Sequence, residues 1–147
     1  METPLKFLKP TLWLHIAYWV GIILDARAAL YMIFPELNPH ADAASLASLQ
    51  YRFAMAYGAA LMLGWTALLV WADRKPIERR FVLVLTVCPV IVGLTLSRLV
   101  LTFGGKLPVP FTAASLALPV ALTVLFLFAY FYSFREDAAG KKAQNTV

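Results

Sequence analysis

The segment WADRKPIERR, Trp71–Arg80, decides the fold, because four Lys and Arg residues fall in ten positions between two long apolar runs. A short basic block flanked by apolar stretches of spanning length reads as a cytoplasmic loop between two membrane helices. Working outward, the apolar periodicity predicts helices over about residues 11–34, 50–72, 77–103 and 113–134, with a frayed polar tail over 136–147. The expectation is an all-α protein: one integral membrane domain, a four-transmembrane-helix bundle with both termini cytoplasmic.

Charge placement supports that orientation. Lys6 and Lys9, then Arg74, Lys75, Arg79 and Arg80, then Arg135, Lys141 and Lys142 put nine basic residues on one side, against Lys106 alone on the other. An excess of this size retains loops at an anionic cytoplasmic face. It also explains the net charge of +5 without nucleic acid as a partner. Such asymmetry opposes the dual-topology assembly of small four-helix drug exporters. With 61% hydrophobic and 14% charged residues, the chain lies outside the soluble globular range. A single cysteine, Cys88, and two histidines, His15 and His40, leave no disulfide, zinc knuckle or His-based metal set within one chain. No cofactor is expected.

The run LGWTALLVWADRKPIERRFVLVLTVCPVIVGL, Leu63–Leu94, resembles a segment of small uncharacterised prokaryotic four-helix integral membrane proteins. It covers about a fifth of the chain, and W-A-D-R-K-P-x-E-R-R is its distinctive core. The resemblance implies the architecture and a prokaryotic plasma (inner) membrane, and brings no activity, ligand or site residue.

Function has to be sought in the charges buried along the spans. The charge-free part of helix 1, Thr11–Leu24, covers only about 21 Å, so the span must continue through Asp25 and Arg27 to cross a core of roughly 30 Å. Arg52 lies just inside the outer start of helix 2, and Arg98 about 7 Å short of the outer end of helix 3. Glu36 and Asp42 belong to the first outer loop. Intramembrane charge is expensive and marks a functional site by default. Small residues recur every four positions at Ala56, Ala60 and Gly64 behind Arg52, and at Gly21 and Ala29 around Asp25. If these stripes met, Asp25 would pair with Arg52. Arg98 is flanked by Thr95 and Thr102, whose hydroxyls could line a polar cavity.

Three guanidiniums against one carboxylate favour an anionic headgroup or a lipid-linked phosphate. The expected ligand-binding set is Asp25, Arg27, Arg52, Arg98, Glu36 and Tyr57, with membrane lipids as partners. The expected function is binding or moving an anionic amphiphile. The alternative is a non-catalytic accessory or assembly subunit of a larger membrane complex, or a homo-oligomer. An enzyme is disfavoured, because no nucleophile–base pair or metal set is visible.

Overall fold

The computed structural model describes residues 10–38, 46–104 and 113–144, and among these there is helix and turn but no strand. Helix α1 is Pro10–Ile33, followed by a 3-10 turn at Pro35–Leu37. Helix α2 is Leu49–Asp73. Helix α3 is the continuous Phe81–Phe103, and α4 is Ala113–Gln144. Four stretches are long and apolar enough to cross a membrane: Thr11–Ile33, Leu49–Asp73, Phe81–Phe103 and Ser115–Phe134. The chain therefore has the make-up of a multi-pass membrane protein. Lys6, Lys9, His40, Asp42 and Lys106 lie outside the described residues.

Two helix bounds depart from expectation. Helix α3 begins at Phe81, not near residue 77, because Pro76–Arg80 form turns in which Lys75 Nζ lies 3.2 Å from Glu78 Oε2. Glu78 thus closes a local turn ahead of α3. Helix α4 continues to Gln144, ten residues past Phe134. The charged cluster after Phe134 looks like a stop, yet Glu, Ala, Lys and Gln are strong helix formers and carry the backbone on.

The chain falls into two compact units, one combining residues up to Ala17 with those from Lys75 onward, the other being Tyr18–Arg74. In the first unit α3 packs along α4. The buried face of α3 is Val82, Leu83, Thr86 and Val87, and that of α4 is Phe126, Ala129 and Ser133. These positions follow the i, i+3, i+4 spacing that places side chains on one helical stripe. Trp13 of α1 meets Phe128 edge-on at 5.2 Å, and the Arg80 guanidinium lies 4.9 Å from the Phe134 ring centroid. The second contact ties the basic turn to α4.

Within α3, Thr86–Val92 is a π-helical stretch containing Pro89. Proline has no N–H to give and its ring clashes with the carbonyl four residues back. Widening to the i→i+5 register relieves both problems without ending the helix. Cys88 and Pro89 are exposed on this stretch.

In the second unit α1 and α2 come close at Met32 and Gly58, where an added Cβ would lie 3.0 Å from Met32 Sδ. Ser48 caps α2: the Tyr51 N–H donates to Ser48 Oγ at 3.4 Å. The small-residue stripe does not serve as the contact. A Cβ at Gly64 would meet nothing within 4 Å, and the same holds for Gly93 on α3, which therefore is no close-packing site. Gly64→Ala and Gly93→Ala should accordingly each leave stability unchanged or raise it by up to about 1 kcal/mol through helix propensity. Thermal unfolding in detergent measures this, and a loss at either position would mean that a neighbour occupies the space.

Candidate functional site

Two open clefts carry Arg52 and Arg98, one in each unit. The larger, about 390 Å³, lies between the end of α1 and the first half of α2. Met32, Ile33, Met55, Ala56, Ala60 and Leu63 form apolar walls, while Glu36 and Arg52 stand with Pro35 among the lining. Arg52 is on the first turn of α2, level with the 3-10 turn that carries Glu36. Its Nε donates to the Leu46 carbonyl at 2.8 Å, and one terminal nitrogen donates to Glu36 Oε1 at 3.4 Å. Both side chains are 56% exposed, so solvent or lipid headgroups can reach the pair.

The expected Asp25–Arg52 pair is not formed. Arg52 is taken by Glu36 and Leu46, and Asp25 Oδ2 is buried without a hydrogen-bond partner among the described residues. The reason is depth: Asp25 is eight residues, about 12 Å, back along α1 from Ile33. It belongs to the stripe Leu14, Tyr18, Ile22, Asp25 and Ala29, whose other four members are buried. Its spacing thus puts the carboxyl on the packed side of α1, away from lipid. Neither cleft includes it.

Arg27 is exposed and leans toward the end of α1, its Nε 3.4 Å from Tyr31 Oη and its guanidinium 5.3 Å from the Tyr31 ring centroid. Tyr57 is exposed and stacks edge-on against Phe53 at 4.9 Å. Neither lines the α1–α2 cleft. Of the six expected residues, that cleft gathers Arg52 and Glu36.

The second cleft lies between α3 and α4. An apolar slot of about 250 Å³ is walled by Ile91, Val92, Leu96, Val120 and Val124, with Thr95, Thr123, Leu116 and Pro119. Beside it, sharing Thr95, Leu116 and Pro119, is a smaller mouth of about 120 Å³ holding Arg98 and Ser115. The threonine hydroxyls do not make the cavity polar. Thr95 donates to Ile91 O at 2.7 Å, Thr102 to Arg98 O at 2.9 Å and Thr123 to Pro119 O at 2.8 Å. Helical threonines bond back to the preceding turn in this way and present their methyl groups outward.

Arg98 is exposed and its guanidinium has no acceptor among the described residues. Sequence explains why. No Asp or Glu occurs between Glu78 and Glu136, and both lie toward the opposite ends of α3 and α4. Along α3 the distance from Phe81 to Arg98 alone is about 26 Å, several Debye lengths at physiological salt. Ser115, Leu116 and Pro119 are the lining residues that sequence reasoning missed, since only packing of α4 on α3 brings them to Arg98. No protein-family model, curated protein or solved structure matches the chain.

Proposed function

We propose that this protein binds an anionic amphiphile, a lipid headgroup or lipid-linked phosphate, in the outer leaflet half of a prokaryotic plasma membrane, and that it holds or moves that molecule without catalysing a reaction on it. The observation that carries the reading is Arg98: an uncompensated guanidinium at the mouth of an apolar slot between α3 and α4. A phosphate takes parallel N–H donors from such a group, and the slot accommodates the chain below it. No charged residue lines the slot itself, so Arg98 at its mouth is the one charged anchor for the headgroup among the described residues.

The orientation belongs to the same proposal. With nine basic residues against one, Trp71–Arg80 and both termini are cytoplasmic, so Arg52 and Arg98 sit in the outer half of their spans. In a Cys88→Ser background, Lys106→Cys should react with an impermeant maleimide on intact cells, and Arg79→Cys only after permeabilisation. The opposite labelling pattern would reverse the topology and move both arginines to the inner leaflet.

Native mass spectrometry of the protein drawn from its own membrane in mild detergent tests the binding. The expected result is a retained phosphate-bearing amphiphile that added phosphatidylglycerol displaces. A delipidated protein held in stoichiometric complex with a second polypeptide would favour the accessory-subunit reading instead.

A further inference from the structure

An anion needs no carboxylate beside its guanidinium, yet Glu36 Oε1 stands 3.4 Å from Arg52 in the α1–α2 cleft. A negative group next to the cationic anchor repels an anionic headgroup. It attracts a cationic one. The mouth of this cleft is therefore complementary to a molecule carrying both charges a few ångströms apart.

Each member of the pair retains capacity for a ligand. Arginine has five N–H donors. Here Nε is given to Leu46 O and one terminal N–H to Glu36, which leaves three without an acceptor among the described residues. Glu36 uses Oε1 only, so Oε2 is open in the same sense. An ion pair this exposed contributes little to stability and opens readily when better partners arrive. Beneath it the cleft is apolar along α2 from Arg52 to Leu63, about 16 Å by helical rise. Ala56 and Ala60 make that wall shallow, and Met32 and Met55 are flexible enough to close on a chain.

We propose that the α1–α2 cleft binds a zwitterionic amphiphile of the phosphoethanolamine type, with its phosphate on Arg52, its primary ammonium on Glu36 and an acyl chain along Ala56 and Ala60. The primary ammonium matters because its N–H groups donate to a carboxylate. A quaternary choline head has none to give. This site lies in a different unit from Arg98 and does not depend on the anionic reading of that slot.

The test uses the full-length protein in detergent, titrated by native mass spectrometry with phosphatidylethanolamine, phosphatidylcholine and phosphatidylglycerol of identical chains. Phosphatidylethanolamine should bind at least about 5-fold more tightly than phosphatidylcholine at one site. Glu36→Gln should erase that preference, while Arg98→Gln leaves it intact. Arg52→Gln should weaken both zwitterionic lipids together. Because Glu36, Arg52 and Arg98 are all exposed, all three variants should remain monodisperse with near-parental unfolding temperatures. Equal affinity for the two zwitterionic lipids, or a preference that survives Glu36→Gln, would overturn the proposal. Loss of the preference in Arg98→Gln would also overturn it, by placing the site in the other cleft.

Discussion

Replacing Arg98 by Gln should weaken binding of phosphatidylglycerol roughly 10- to 100-fold while leaving the fold intact. Hydrogen bonds to charged groups contribute about 1.5–3 kcal/mol, and each 1.4 kcal/mol is a decade in affinity. Among the described residues no other cation lines the mouth of the α3–α4 slot, so none of them takes over the phosphate. Gln preserves most of the side-chain length, and Arg98 has no partner among the described residues to strand, which keeps the structural cost small. Arg27→Gln is the control. Its guanidinium rests on Tyr31 and lines neither cleft, so the same titration should move by less than about 2-fold. If Arg98→Gln binds as tightly as the parent, the guanidinium merely reaches for water and the slot is filled by bulk lipid.

The other large effect is structural. Phe126→Ala should destabilise the protein by about 2–3 kcal/mol, read as a lower unfolding midpoint in detergent. Phe126 is 1% exposed on the buried face of α4. In water-soluble cores such a truncation costs about 3–5 kcal/mol, of which part is hydrophobic transfer. In a bilayer that part largely vanishes, because lipid tails are as apolar as the protein interior. What remains is the lost dispersion contact and the void. Phe131, 59% exposed on the same helix, makes the comparison, and Phe131→Ala should cost under about 0.5 kcal/mol. Equal losses at both positions would mean that α4 does not bury the face containing Phe126.

Those two residues also show what was legible beforehand. Apolar runs and basic blocks are local signals, so the helical class and the four spanning stretches could be read directly. Face assignment on α4 could not, because its span is apolar all round and carries no amphipathic stripe to read. The same distinction governs the sites. Arg52 and Arg98 stood out because charge in a span is rare. Their partners did not. Glu36 is sixteen positions from Arg52 and reaches it through a 3-10 turn that periodicity does not report. The pairing of Asp25 with Arg52 failed for the opposite reason, since matching stripes of small residues ignored that Asp25 lies about 12 Å back from the end of α1 while Arg52 is on the first turn of α2. Thr95 and Thr102 give their hydroxyls to the preceding turn, which is a local rule and leaves them little to offer a cavity.

The widened turn at Thr86–Val92 has a bearing on Arg98, six residues downstream. It absorbs one residue more than an ordinary turn, so the upper segment of α3 is out of phase with the lower by about 100°, the rotation of one residue. Val82 and Leu83 before the seam and Thr86 and Val87 at its start are buried, whereas Gly93–Phe103 buries none. Deleting a single residue there would restore an even winding and swing the guanidinium about a quarter-turn round the helix axis, away from Ser115 and Leu116. The direction in which this arginine points is thus written into the irregularity around Pro89 as much as into its own position.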